Sequence, residues 1–221
     1  MVTLAAQRDE VDASPSPGTG RITTVLAAIS LRCATVADAR AVARLMAIAG
    51  EGIPTWLWGR AAKEGQDPLF VGTERAARPA GNFSHRNAVL AERGGQIAGM
   101  MLGYRLPEPD ADDRAALDDL PGLLRPLVEL EMTVPGSYYV NALAVFEGYR
   151  DAGIGTRLLQ AAAGRATAQG CTRLSLLVFA QNIGAVRLYE RNGYRAVDSR
   201  TTPAHPARPW DDRILLMVRA L

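Results

Sequence analysis

The sequence predicts a single α/β domain built on a mixed β-sheet. Strand-like runs dominate the first half of the chain, and strand–helix units dominate the second half. A length of 221 residues suits one well-packed domain and is short for two. With 48% apolar and 22% charged residues, the composition is that of an ordinary globular protein.

The composition also argues against several classes of function. The net charge of +2 does not favour an extended nucleic-acid surface, because basic and acidic residues nearly balance. Cys33 and Cys171 lie far apart, so we expect reduced thiols rather than a disulfide. His85 and His205 are isolated from the cysteines and from each other, so no metal site is expected. Because no apolar stretch is long enough to span a bilayer, the sequence predicts a soluble, cytoplasmic protein without a membrane partner.

The chain begins with a stretch that we expect to be a flexible tail. Residues 1–23 include a run rich in proline, serine and glycine, with too little apolar surface to offset the entropy cost of ordering. We place the folded domain at residues 24–221. Its first elements are predicted to be a strand over Val25–Ala34, a helix over Val36–Ala49, a short helix opened by Pro54, and an irregular connection over Gly65–Arg86.

A hairpin and a series of strand–helix units complete the domain. Gly94 and Gly95 separate two strand-like runs, Asn87–Glu92 and Gln96–Tyr104, as in a β-hairpin. Residues 107–136 are first acidic and then form a short amphipathic helix, so we interpret them as an insertion between strands. The remaining predicted elements are the strand Tyr138–Val145, the helix Ile154–Gln169, the strand Arg173–Phe179, the helix Ile183–Arg191, and strands over Tyr194–Asp198 and Arg213–Val218.

The turn after the strand Tyr139–Val145 has the features of a phosphate-binding site. It reads Arg150-Asp151-Ala152-Gly153-Ile154-Gly155 and leads directly into a helix. The first N–H groups of a helix have no partners within it, and the helix dipole adds positive potential, so such a turn suits a phosphate or a pyrophosphate. Gly153 and Gly155 permit a close approach of backbone to ligand, and Arg150 can add a charged donor.

Two common nucleotide-binding motifs do not fit this turn. A kinase-type P-loop needs a lysine and then serine or threonine after its last glycine, whereas Gly155 is followed by Thr156 and Arg157. A dinucleotide-binding fingerprint needs a third glycine where Leu158 stands, and an acidic residue about twenty positions further on. The sequence meets neither requirement.

The same turn resembles the Arg/Gln-x-x-Gly-x-Gly/Ala signature of the GNAT superfamily of N-acetyltransferases. A second block, Asn182 to Tyr194, is similar to that family's Asn…Ala…Leu-Tyr…Gly-Phe/Tyr segment. The two blocks occur in the family's order, with the strand Arg173–Phe179 between them. The resemblance implies a GNAT-like mixed, mostly antiparallel sheet, flanked by helices, whose central strands Tyr139–Val145 and Arg173–Phe179 splay apart.

The resemblance also implies a set of site residues and acetyl-CoA as the acyl-donor cosubstrate, without a metal. Pantetheine would pair with the strand edge at Leu143 and Val145, and the amides of the turn would hold the pyrophosphate. An N–H near Leu143 or Ala144 would polarise the acetyl carbonyl, and Tyr189 would protonate the departing thiolate. The implied cofactor-binding residues are Leu143, Ala144, Val145, Arg150, Asp151, Ala152, Gly153, Ile154, Gly155, Thr156 and Asn182.

The general base is less well defined. Relatives carry a glutamate at the position of Leu177 or at about that of Tyr139, and neither residue is acidic here. Water relayed through Asn141, or a glutamate from elsewhere in the chain, could take this role; the candidates are Glu51, Glu129 and Glu131. Glu51 and Tyr139 are the predicted substrate contacts.

The predicted reaction is direct transfer of an acetyl group from acetyl-CoA to a primary amine of a small molecule. A non-catalytic acyl-CoA-binding sensor and an enzyme that acetylates a protein amine are the alternatives. Many relatives are dimers, so a homodimer is possible.

Overall fold

The computed structural model describes residues 28–204, 206 and 212–221. The predicted tail at residues 1–23 and His205 lie outside these ranges. The strands are β1 (Ile29–Cys33), β2 (Ala88–Arg93), β3 (Gln96–Arg105), β4 (Tyr138–Val145), β5 (Arg173–Phe179), β6 (Arg195–Thr202) and β7 (Asp212–Ala220). The α-helices are α1 (Ala39–Ala49), α2 (Ile53–Ala61), α3 (Pro68–Ala77), α4 (Ala111–Ala115), α5 (Arg125–Glu131), α6 (Ile154–Ala168) and α7 (Ile183–Arg191).

The strands form one sheet in the order β1-β2-β3-β4-β5-β7-β6. Within the described sheet the β4–β5 pair is parallel and the other pairs are antiparallel. A parallel pair needs a crossover connection, and α6 supplies it between β4 and β5. The predicted α/β fold with a mixed, mostly antiparallel sheet is therefore confirmed.

Helices cover both faces of the sheet. On one face, α6 packs Leu158, Leu159 and Ala162 against apolar side chains of β2–β5. On the other face, α1, α2 and α3 cover β2–β4, and α5 covers β7. Residues 107–136, interpreted above as an insertion, carry α4 and α5, and Leu123 and Leu130 are buried in the cluster under α5.

One predicted connection is a helix instead. Residues 65–86 were expected to be irregular, but α3 occupies Pro68–Ala77. The Asp67 side chain caps this helix by accepting a hydrogen bond from the Leu69 N–H at 2.8 Å, and Pro68 takes the first helical position. The helix packs closely because Gly72 leaves room for the Trp58 ring, which would lie 2.7 Å from a Cβ at that position. The Asp-Pro pair was the sequence signal for this helix.

β4 and β5 splay apart as the fold class requires. They pair at Tyr138 with Leu174, Tyr139 with Ser175 and Val140 with Leu176. Beyond these positions both strands continue, but they form no further pairs with each other.

A β-bulge in β4 lies where this separation begins. Gly103 of β3 is opposite Val140 while the adjacent Leu102 is opposite Ala142, so Asn141 is the extra residue. The bulge changes the face of the sheet on which the side chains after Asn141 lie. Val140 packs in the α6 cluster, and Ala142, two residues later, packs in the α1 cluster. Without a bulge, these two side chains would share a face.

Candidate functional site

A cleft of about 980 Å³ opens where β4 and β5 separate. Its walls are the free ends of the two strands, the turn before α6, one side of α7, the α1–α2 connection and the end of α5. This volume lies at the upper end of the range for ligand pockets, so the cleft suits a long ligand or two ligands together.

The edge of β4 that faces the cleft offers unpaired backbone groups. The Phe146 N–H donates to the Ala98 carbonyl at 2.9 Å, on the β3 side. Alternate residues of an antiparallel strand direct both backbone groups to the same neighbour, so Ala144 also faces β3 while Leu143 and Val145 face the cleft. The Val145 carbonyl accordingly accepts a hydrogen bond from Arg150 Nε at 3.4 Å. The backbone groups of Leu143 and the N–H of Val145 therefore face the cleft, where a ligand laid along the strand could pair with them.

The turn before α6 has the backbone shape of an anion cradle. Asp151 has a φ of 60° and Gly153 a φ of 76°, both in the left-handed region. Gly153 is the N-cap of α6, and no described side chain caps this helix end. The N–H groups of the first turn of a 15-residue helix therefore point toward the cleft beside the exposed Arg150.

Gly155 brings α6 close to α7. A Cβ at this position would lie 2.8 Å from Leu188 Cδ2. Of the predicted cofactor-binding residues, all but one line the cleft; the exception is Ala152, which packs against the α6 cluster. The Ala152 methyl group thus packs into the core, and the predicted contact of this residue with a cofactor concerns its backbone amide.

Asn182 connects the cofactor side of the cleft to the α1–α2 connection. Its Oδ1 accepts a hydrogen bond from the Ala185 N–H at 3.1 Å and so caps α7. Its Nδ2 donates to Glu51 Oε1 at 2.8 Å. Glu51 is a non-glycine residue with a φ of 49°, a strained conformation that often occurs at functional sites. Sequence analysis selected both residues without indicating that they touch.

Tyr189 projects from α7 into the cleft and is almost fully buried. Burial raises the pKa of its hydroxyl to about 12, and the negative charge of Glu51 adds to the effect. The hydroxyl therefore keeps its proton throughout the neutral pH range. Its ring packs edge-on against Tyr194, with centroids 5.9 Å apart.

The opposite end of the cleft contains a polar cluster formed by Glu131, Tyr139 and Asn141. Burial raises the pKa of the Tyr139 hydroxyl far above its usual value, and the negative charge of Glu131 adds to the effect. Tyr104 packs edge-on against Tyr139 at a centroid distance of 5.9 Å. Burial also raises the pKa of Glu131 to about 7, while hydrogen bonding with Tyr139 acts in the opposite direction.

Of the three glutamates considered as a base, two line the cleft. Glu51 and Glu131 do so, whereas Glu129 forms an ion pair with Arg125 at 2.8 Å. The apolar residues at this end of the cleft were not predicted from the sequence. These are Ile53 and Leu57 of α2, Leu127 of α5 and Phe179 of β5. From their spacing in the sequence these residues are predicted only to be buried, because core residues and pocket-lining residues follow the same periodicity.

Within the described residues, no group of histidine, cysteine, aspartate and glutamate side chains could hold a metal ion. His85 Nδ1 lies 3.0 Å from the Ala76 carbonyl oxygen. In the same part of the chain, no helix has the length and apolar character needed to cross a membrane.

Comparisons with known proteins agree with this architecture. Residues 58–194 match the model of the acetyltransferase (GNAT) family. A curated relative, GCN5-related N-acetyltransferase 4, chloroplastic, of Arabidopsis thaliana, is 33% identical over 87 residues. That match covers 38% of this chain and 30% of the relative.

Solved structures of acetyltransferases have the same fold. An N-acetyltransferase from Staphylococcus aureus Mu50 aligns with a TM-score of 0.55 and 18% identity, over 85% of this chain and 99% of the other. The polyamine N-acetyltransferase of Drosophila melanogaster, which forms N-acetylagmatine, aligns with a TM-score of 0.57 and 18% identity, over 88% and 100% of the two chains. At these identities the likeness concerns the fold.

Proposed function

Because its family match spans more than half of the residues, the chain belongs to the GNAT family of acetyltransferases, and we propose that it transfers an acetyl group from acetyl-CoA to a primary amine of a small molecule. One observation carries this proposal. The cleft between β4 and β5 joins a free strand edge to a helix N-terminus, and an acidic, aromatic acceptor end lies at its other side.

The cleft residues fit acetyl-CoA. The backbone groups of Leu143 and Val145 face the cleft and would pair with the amides of the pantetheine arm. The N–H groups at the start of α6, together with Arg150, would hold the pyrophosphate. The acetyl carbonyl would lie within reach of the Leu143 N–H, which would stabilise negative charge on that oxygen during transfer.

Tyr189 suits the role of the proton donor to the leaving thiolate. Its hydroxyl lines the cleft, and a pKa of about 12 keeps it protonated at neutral pH. Glu51 contributes to that pKa, and Asn182 fixes Glu51 through the 2.8 Å hydrogen bond. The three side chains therefore act together: Asn182 positions the carboxylate, and its negative charge adds to the effect of burial in keeping the tyrosine hydroxyl protonated.

The acceptor end favours a small cationic amine. Glu51 and Glu131 both line the cleft, and carboxylates attract an ammonium group. Ile53 of α2 and Leu130 of α5 belong to one apolar cluster, and both helices contribute side chains to the cleft wall at this end. An extended polypeptide needs an open groove there, whereas a small molecule does not.

Calorimetric titration with acetyl-CoA tests the proposal. Wild type should bind with micromolar affinity, and Arg150→Ala should bind about tenfold more weakly because it lacks the charged donor. Arg187→Ala is the matched control, because Arg187 is exposed on α7 and is not part of the cleft wall. A folded wild type that binds no acetyl-CoA would refute the proposal.

Turnover completes the test. A panel of small primary amines is added with acetyl-CoA, and the release of free thiol is followed. We expect thiol release with at least one cationic amine. Binding without thiol release from any amine would instead indicate an acyl-CoA sensor.

A further inference from the structure

Glu131 is held at the acceptor end of the cleft by the packing of α5. It is the last residue of that helix and lines the cleft. The preceding Leu130 is fully buried in a cluster with Ile214 and Leu216 of β7. This anchor fixes the end of the helix, so the carboxyl group has a defined position rather than the freedom of a surface side chain.

The neighbours of Glu131 lead toward the reacting end of the cleft. Glu131, Tyr139 and Asn141 all line the cleft, and the Tyr139 hydroxyl and the Glu131 carboxyl act on each other's pKa. Asn141 is the bulge residue of β4, two positions before Leu143. The three groups form a polar path from α5 to the strand edge at which the acetyl group would lie.

We propose that Glu131 is the proton acceptor for the incoming amine, and that Tyr139 is the positioning residue that holds its carboxyl group. This inference rests on the proposed acetyl transfer. The carboxylate takes one proton from the ammonium group, and the freed lone pair forms the N–C bond at the thioester carbonyl carbon. The C–S bond then breaks with its electron pair on sulfur, which takes a proton from Tyr189. The amide nitrogen gives its extra proton to the tyrosine, and Glu131 releases its proton to solvent.

The surroundings of Glu131 suit this role. A lysine-like amine titrates at about 10.4 in water, so a carboxylate with an ordinary pKa is a poor match for its proton. Burial brings the pKa of Glu131 to about 7, which leaves much of the group ionised at neutral pH and makes it a stronger base. The titratable groups that interact with it directly are Tyr104 of β3 and Tyr139 of β4. The other titratable or charged groups that line the same cleft are Glu51, Arg75, Tyr149, Arg150, Asp151, Tyr189 and Arg191.

Glu51 is less suited to accept the proton. One of its oxygens accepts the Asn182 hydrogen bond at 2.8 Å, and its charge acts on Tyr189. That places Glu51 beside the proton donor. Glu131 lines the cleft together with Tyr139, away from the hydrogen bond that holds Glu51.

Rates of thiol release from about pH 5.5 to about pH 9.5 test the inference, using an amine with a pKa above about 9. In wild type, kcat/KM should rise with pH and show an inflection near 7. Glu131→Gln should lower kcat by about 10² or more and abolish that inflection, with an unchanged Kd for acetyl-CoA. Glu129→Gln, on the same helix but outside the cleft wall, should behave as wild type.

Tyr139→Phe provides a second readout that a merely structural role would not produce. Its hydroxyl lowers the pKa of Glu131, so its removal should move the inflection to higher pH without abolishing it. A Glu131→Gln enzyme with wild-type kcat and pH profile would overturn the inference, as would an inflection in Tyr139→Phe that does not move. A wild type without acetyl-CoA binding would instead overturn the proposed function itself.

Discussion

Replacing Glu131 with glutamine should make the protein more stable at alkaline pH, even though it should reduce activity. The pKa of this carboxyl rises from its usual 4.5 to about 7 because burial penalises its charged form. A shift of that size corresponds to about 3 kcal/mol of free energy of unfolding. The side chain is partly exposed to the cleft, so we expect a measured gain of about 1–3 kcal/mol.

The direction of the pH dependence follows from which state binds the proton more tightly. The folded protein holds the Glu131 proton more strongly than the unfolded chain does. The contribution of Glu131 to stability is therefore fully present below about pH 4.5 and is lost as the pH rises to about 7. Glutamine does not titrate, so the difference in free energy of unfolding between Glu131→Gln and wild type should grow from about pH 4.5 to about pH 7 and stay constant above it.

Urea unfolding of wild type, Glu131→Gln and Glu129→Gln at about pH 4, 6 and 8 measures this effect. Glu129 forms an i,i+4 ion pair with Arg125 at the protein surface, where solvent screening leaves such pairs little effect on stability. Its substitution should therefore change stability little at any of these pH values. If Glu131→Gln differs from wild type by the same amount at pH 4 and pH 8, the carboxyl is not desolvated and the reasoning fails.

Three further substitutions test other parts of the cleft. Gly153→Ala should lower the free energy of unfolding in urea by about 1–2 kcal/mol, because the φ of this residue is 76° although no atom would clash with the added methyl group. Gly148→Ala is the control, since Gly148 has equally open surroundings and no positive φ, and its stability should not change. Asn182→Asp should keep the cap of α7 but repel the glutamate of the α1–α2 connection, and we expect kcat to fall about tenfold by steady-state kinetics. Tyr189→Phe should lower kcat by about 10² at an unchanged Kd for acetyl-CoA. Tyr194→Phe removes a buried hydroxyl that has no partner among the described residues, so it should retain activity and stability; equal losses in both variants would contradict a proton-donor role.

The geometry of the proposed cofactor end of the cleft could be predicted from sequence because its determinants are local. A strand, a turn with Gly153 and Gly155, and a helix are adjacent in the chain, and backbone N–H groups at a helix start behave alike in any protein. The second block was also readable, since Asn182 caps the helix that carries Tyr189. In both segments, the residues that form the site also determine the local backbone.

The acceptor end could not be predicted in the same way because its determinants are distant in sequence. Glu129 and Glu131 lie two residues apart on one short helix. The helix packs through the buried Leu130, and in this orientation Glu131 lines the cleft while Glu129 pairs with Arg125. The hydrogen bond between Glu51 and Asn182 joins residues 131 positions apart. Periodicity describes which side of a helix is apolar, but not which distant element covers it.

The bulge at Asn141 links the fold to the chemistry more directly than any single side chain. It lies where the β4–β5 pairing ends, and it moves the following alanines onto the α1 face. Gly103 permits it, because a Cβ there would lie 2.8 Å from the Tyr139 carbonyl oxygen. One extra residue therefore lies at the point where the cleft opens, between Tyr139 on one side and the free strand edge at Leu143 on the other. The proposed cofactor and acceptor sites would meet at this residue of the strand.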